Sequence, residues 1–196
     1  MKKFLWLSLF LLFVSIIIKW NSHTSIKPPP ILGEIPEFHF INSVNDQPFG
    51  LEQLRGKINV IDFIFTRCNG PCPIMSKKLS RLYHEFSDNN LVQFISISID
   101  PKNDSSEVLQ RYAKEYGVND TRWYFLRGEM SDIIEFSKTG LKLAADGLPT
   151  MHSTSFVLID DNLRIRGYYD SQDDSRIELL ETTLSLLAQD MVSRHQ

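Results

Sequence analysis

The hydrophobic and polar positions divide the chain into runs of two periods, and each run predicts an element. Ile58 to Phe65 is almost entirely apolar, and β-branched or aromatic, the pattern of a strand covered on both faces. Asn69-Gly70-Pro71 must turn the chain after it. Pro73 suits the first turn of a helix, where its missing N–H costs nothing, and Met75, Leu79, Leu82 and Phe86 then recur at helical spacing. Leu91 to Ile99 predicts a second continuous strand, ending at Asp100-Pro101. Asp104 with Glu107 reads as a capping-box-like start for a helix to Tyr116, closed by Gly117. Trp123 to Leu126 predicts a short strand, residues 130–143 a helix, Ser155 to Ile159 a strand, and Leu163 to Tyr169 its return after the Asp160-Asp161-Asn162 turn. Ile177, Leu180, Leu184, Leu187 and Met191 line one face of a last helix. Upstream, Phe38 to Ile41 before Asn45-Asp46 predicts an N-terminal β-hairpin, and Leu51 to Gly56 one helical turn stopped by glycine.

Alternation of strand and helix implies an α/β fold: a central mixed sheet flanked by helices, mainly parallel, with the last hairpin adding an antiparallel edge. The N-terminus differs in kind. Lys2-Lys3 precede an uncharged apolar run, Phe4 to Ile18, closed by Lys19-Trp20. No small-residue cleavage site follows and no cysteine stands there for lipidation, so the reading is an uncleaved N-terminal membrane anchor rather than a removed signal sequence. The chain then divides into an anchor at 1–20, a Pro-rich spacer at 21–36 containing Lys27-Pro28-Pro29-Pro30, and one domain at 37–196. The basic start leaves Lys2 and Lys3 in the cytoplasm and exports the rest.

Charge adds an exclusion. The formal net charge is −3, and setting aside residues 1–20 removes three lysines and no acid. A nucleic-acid partner, which calls for a basic face, is not expected.

The chemistry concentrates in the turn after the first buried strand, which holds Cys68 and Cys72, the only two cysteines of the chain. They sit at the C-terminal end of a strand, where ligands bind in open α/β sheets, and at a helix N-terminus, whose dipole and free N–H groups favour thiolate. A structural bridge over so short a loop would constrain the unfolded chain little, which leaves a redox pair or metal ligands. His152, just ahead of the strand at Ser155, is a third candidate ligand if that strand neighbours the cysteine strand. Two thiolates and an imidazole suit copper, Cu(I) especially; zinc competes but usually takes four ligands, and the sequence offers no fourth. Asp100, at a strand end on the cysteine side, reads either as a residue orienting a ligand or receiving a partner, or as a turn residue before proline. Met75 reads as core rather than a copper thioether, His39, His84 and His195 as surface or tail, and His23 as part of the spacer. Asp62, inside a buried strand, requires a hydrogen-bond partner.

These residues form three blocks that resemble the Sco/SenC copper-binding proteins. The first is Asp62-Phe63-Ile64-Phe65-Thr66 followed by Cys68-x-x-x-Cys72-Pro73. The second is Ser98-Ile99-Asp100-Pro101 with Asp104 and the helix from Val108 to Gly117. The third is His152-Ser153 with Phe156 to Asp160 and Arg164 to Tyr169. The resemblance spans about residues 34–188. It implies a thioredoxin-like fold, copper held by Cys68, Cys72 and His152, and a role in maturing cytochrome c oxidase. The partner would be the copper-bearing subunit of that oxidase or another copper chaperone, and the place the bacterial cytoplasmic membrane with the soluble domain on the periplasmic, extracytoplasmic side. Asn69-Gly70-Pro71 between the cysteines and the Asp161-Asn162 turn depart from the family pattern; the first bears on thiol tuning, and neither alters the three ligands.

Alternative functions follow from the same residues. A thiol–disulfide oxidoreductase that keeps a partner's cysteines reduced would use Cys68 and Cys72 without needing His152, although three residues between the cysteines rather than two is atypical for such motifs. A copper or redox sensor would use the same pair. A peroxiredoxin is excluded by Phe65, where that family's threonine should stand.

The topology is testable directly. A reporter that fluoresces only in the cytoplasm, fused after Gln196, is expected to stay dark; a bright fusion would refute export of residues 21–196.

Overall fold

The computed structural model describes residues 28–144 and 153–194. The expected anchor at 1–20, residues 21–27 of the spacer, and His152 lie outside the described residues. No helix among the described residues is long and apolar enough to cross a membrane.

Eight strands form one mixed sheet: β1 (Gly33–Glu34), β2 (Phe40–Asn42), β3 (Gln47–Phe49), β4 (Ile58–Ile64), β5 (Val92–Ser98), β6 (Trp123–Arg127), β7 (Ser155–Ile159) and β8 (Arg164–Asp170), in spatial order β1-β8-β7-β4-β5-β6-β2-β3. β4, β5 and β6 run parallel, while β7 is antiparallel to β4 and to β8. Every residue of β4 and of β5 is buried. That explains their high apolar content, since a strand with both faces covered has no solvent side to alternate toward; the polar residues they carry, Asn59, Asp62, Gln93, Ser96 and Ser98, are buried and hydrogen-bonded.

The helices are α1 (Leu51–Leu54), α2 (Cys72–Glu85), α3 (Ser106–Glu115), α4 (Met130–Glu135) and α5 (Asp174–Arg194). Ile58, Val60 and Ile64 of β4 pack with Leu79 and Leu82 of α2, Leu109 of α3 and Leu180 and Leu184 of α5. On the opposite face Ile61 and Phe63 pack with Leu54 of α1, Ile133 of α4 and the N-terminal Phe38, Phe40 and Phe49. Burying each of these side chains contributes roughly 1.5–3 kcal/mol, and the two clusters hold the sheet from both sides.

Most predicted elements are present, with four differences. The last hairpin is not the sheet's edge: β8 is covered by β1, with Gly33 opposite Ile165, and Arg166 donates to the Pro29 carbonyl from Nε at 2.9 Å and also from Nη2. The end of the stretch read as spacer is therefore part of the sheet, held by long-range pairing that no local period announces. On the other side the N-terminal hairpin extends the sheet by pairing β2 with β6. The helix expected over 130–143 is α-helical only to Glu135; Phe136–Gly140 continues in π register, with Leu141 N–H donating to Phe136 O at 2.8 Å. The wider turn lets Phe136 and Leu141 both join the core cluster on that face. Finally, Ser105 rather than Asp104 caps α3, its hydroxyl accepting from Val108 N–H.

Candidate functional site

β4 ends at Ile64, and α2 begins at Cys72 with Pro73 in its first turn. The intervening turn carries Cys68. Its internal bonds are few: Cys68 N–H donates to Phe65 O at 3.2 Å, and Gly70 N–H points at Cys68 Sγ at 3.3 Å. α2 is started by the Pro71 carbonyl, which accepts from Ile74 and Met75 N–H. The two thiols are brought together and are not bonded to each other; Cys68 is 9% exposed and Cys72 is fully buried. Cys68 is thus the thiol that an incoming ion or disulfide meets first.

The electrostatics correct one expectation. Burial pushes the Cys72 thiol well above its ordinary pKa. A hydrogen bond from the Phe65 backbone opposes that push, while the neighbouring Cys68 thiol and the Asp62 carboxyl add to it. Desolvation outweighs the helix N-terminus here, because the dipole is a surface-scale effect of about 0.3–1 kcal/mol whereas a buried thiolate loses its hydration. Cys72 rests as a thiol and becomes a thiolate when a cation compensates it.

Asp62 lies beneath this pair. It faces α2 and α3 from the middle of β4, directly opposite Ser96 in the β4–β5 register. Ser96 Oγ donates to Asp62 Oδ1 at 2.6 Å and itself accepts from Trp123 Nε1 at 3.0 Å. The required partner is thus found for one oxygen; Oδ2 accepts no hydrogen bond among the described residues. Burial raises the Asp62 pKa to about 7, the Ser96 bond pulling against it.

A second aspartate, which local sequence reading assigned to a helix start, turns out to belong to the cysteine turn. Asp104 is fully buried and accepts from Thr66 Oγ1 at 2.5 Å, from Thr66 N–H at 3.2 and 3.4 Å, and from Ser98 Oγ at 2.6 Å. Thr66 stands two residues before Cys68. The available signal was a pair of aspartates, Asp100 and Asp104, placed after a buried strand at the cysteine end of a parallel sheet. Asp100 itself reaches Arg67, next to Cys68, at 3.5 Å, and accepts from Asn103 Nδ2 at 2.8 Å on both oxygens. With Arg67 largely exposed, that ion pair is weak.

Met75 is fully buried in the core, and His39 and His84 are exposed, as expected. His23, His152 and His195 lie outside the described residues. Among the described residues no group of three or more His, Cys, Asp or Glu side chains is arranged to hold a metal ion.

Comparison with known proteins places this geometry. The SCO1/SenC family model matches residues 32–188. The chain is 30% identical over 152 residues to the SCO1 protein homolog of Bacillus subtilis, covering 74% of this chain and 78% of that one. It is 30% identical over 148 residues to a protein of Stutzerimonas stutzeri named as copper-binding, covering 68% of each. Among solved structures, BsSco, described as a member of the Sco family of cytochrome c oxidase assembly proteins with a disulfide switch, superposes with a TM-score of 0.72 at 28% identity over 85% of this chain and 99% of its own. The mixed sheet flanked by helices is the thioredoxin-like architecture of those structures.

Asp62 generates a prediction. Its folded-state pKa of about 7 lies above the ordinary aspartate value of 3.8. The folded chain therefore binds more protons than the unfolded chain between those values. Stability is fully present below pH 4 and is lost as pH rises through 7. Thermal unfolding of wild type should show the loss of this contribution between about pH 4 and 7, and Asp62→Asn should flatten it by an amount on the order of a few kcal/mol. Equal slopes in the two proteins would contradict the buried, unbalanced carboxyl.

Proposed function

The chain belongs to the SCO1/SenC family, and on that premise we propose that it is a membrane-anchored copper metallochaperone, delivering copper to the dinuclear copper site of cytochrome c oxidase through Cys68, Cys72 and His152. The observation that carries the reading is the pair of unbridged thiols at the end of β4, Cys68 just reached by solvent at 9% exposure and Cys72 fully buried. Such a pair is a soft-donor set of the kind Cu(I) prefers. Copper is the cargo, and the chain's residues do the handling. Cys68, the more accessible thiol, receives the ion; Cys72 gives up its proton as the positive charge offsets its desolvation; the wall of Ile64, Met75 and Leu79 beyond it stays dry.

The run of β7 supports His152 as the third ligand. β7 runs antiparallel to β4 with Ile61 opposite Val157, so the described residues leading into Ser155 lie at the cysteine end of β4. The chain enters β7 beside the turn that holds the thiols. Asp100 and Arg67 at the rim are the groups a partner would meet first. The N-terminal run at 1–20 would hold the domain at the outer face of the cytoplasmic membrane, with 21–36 leading to it and 37–196 carrying the site.

One observation favours a second reading, a thiol–disulfide reductase: Cys68 and Cys72 lie together as unbridged thiols, which is all that thiol exchange requires.

Two measurements separate these. The reduced full-length chain in detergent should bind one copper per chain, and replacing either cysteine by serine should weaken Cu(I) binding by two orders of magnitude or more, because thiolates carry the soft-ligand preference. A Cys68→Ser, Cys72→Ser double variant that holds Cu(I) as well as wild type would place the site elsewhere. His152→Ala should lose Cu(II) far more than Cu(I), since imidazole matches Cu(II) better, and should still form its disulfide. In cells lacking the wild-type protein it should fail to restore oxidase activity at normal protein level. Substantial rescue would favour the reductase.

A further inference from the structure

The copper reading leaves Asp104 without a task, although it is the most heavily bonded side chain at the cysteine end of the sheet. Its carboxyl is fully buried and forms no ion pair among the described residues. All its partners are donors, and most come from Thr66, 38 positions away in sequence and two before Cys68. The remaining one, Ser98 Oγ, also accepts from Asp100 N–H at 3.1 Å. A buried carboxyl is costly to keep unless its bonds are complete, and here all of them are spent on the base of the cysteine turn and the end of β5.

The two thiols are not joined in a disulfide in this arrangement. Closing them into a disulfide requires a sulfur–sulfur distance of about 2.05 Å and a dihedral near 90°, so at least one of the two cysteines must change its position or rotamer. Cys72 cannot lead that movement. It is fully buried in the first turn of α2, whose next residues Met75 and Leu79 are packed in the core. The movement falls to the segment carrying Cys68, which has few bonds of its own and is restrained at its root by Thr66.

We propose that Asp104 is a positioning residue for the thiol pair: by holding the Thr66 amide and hydroxyl, it keeps the Cys68 segment in its dithiol arrangement and sets how readily Cys68 and Cys72 close into a disulfide. The inference rests on Cys68 and Cys72 being the working pair. The clamp opposes oxidation and so favours the form that can take up copper. Releasing it favours the disulfide.

The step to be measured is the exchange with glutathione. Cys68 and Cys72 lose two electrons and two protons as their sulfurs join, and the S–S bond of glutathione disulfide breaks to give two glutathione thiols. The full-length chain, in detergent and free of metal, is equilibrated across glutathione buffers, and the oxidised fraction is read by alkylation and mass. Asp104→Asn leaves an amide facing the Thr66 N–H and only one accepting oxygen. Thr66→Val removes the hydroxyl bond and leaves the Asp104 carboxyl in place, so a shift in that variant is not an effect of lost charge. Asp160→Asn is the structural control. Asp160 is a buried aspartate at the far end of the sheet, bonded to Arg164, Arg166 and the Asn162 and Arg164 amides.

Asp104→Asn and Thr66→Val are each expected to move the glutathione equilibrium toward the disulfide by roughly tenfold, about 30 mV for a two-electron couple. Asp160→Asn should lower the melting temperature and leave that equilibrium at the wild-type value. If Asp104→Asn does not fold, Thr66→Val decides alone. A wild-type equilibrium in the folded Asp104 and Thr66 variants, or an equal shift in Asp160→Asn, overturns the proposal. The copper titration of wild type tests the copper reading by itself; this readout contains no copper, so the two failures are distinguishable.

Discussion

Everything at the working end of this molecule depends on β4 having nowhere to go. It is paired on one edge with β5 and on the other with β7, and helices or hairpin residues cover both its faces. Shifting its register by one residue would exchange the two faces: it would put Asp62 among the phenylalanines and Phe63 against the helices. That constraint fixes where β4 stops, and so where the turn after Ile64 presents Cys68. The thiols need no rigid cage of their own, because the strand that delivers them is among the least mobile parts of the fold.

Two buried aspartates divide the labour around this turn in opposite ways. Asp104 has every bond filled, and its fixed geometry restrains Thr66. Asp62 has one oxygen bonded by Ser96 and one without a partner among the described residues. Its burial energy is not balanced by bonds, so it appears as a raised pKa. A carboxyl of that kind beneath Cys72 adds to the cost of a bare thiolate there and makes a compensating cation more welcome.

The contrast between what the sequence discloses and what it hides follows the range of the interactions. β4, β5 and α2 were legible because their apolar periods, Gly70, Pro71 and Pro73 are local signals, and both cysteines stand inside them. Placing Cys68 and Cys72 at a strand end followed from the same pattern. Asp104 was misread because a capping residue and a buried clamp look alike within four residues; only the 38-residue contact with Thr66 separates them. β1 was missed because Gly33 and Glu34 have no strand period, and their conformation comes from the Ile165 and Arg164 backbone. The thiolate expectation at Cys72 failed because helix position can be read from sequence whereas depth of burial cannot.

The attachment of the N-terminal stretch to β8 has a consequence for reach. Pro29 is held by Arg166, and Gly33 pairs with Ile165, so the sequence between the proposed anchor at 1–20 and the folded body counts eight residues, not sixteen. Fully extended at about 3.5 Å per residue, that is a radius of roughly 30 Å. A domain held to a bilayer on such a leash explores a thin shell over a small disc of membrane. Under the proposed anchoring, a partner embedded in the same membrane would meet the thiols at a high local concentration, whereas one diffusing in the open compartment would gain nothing from the tether.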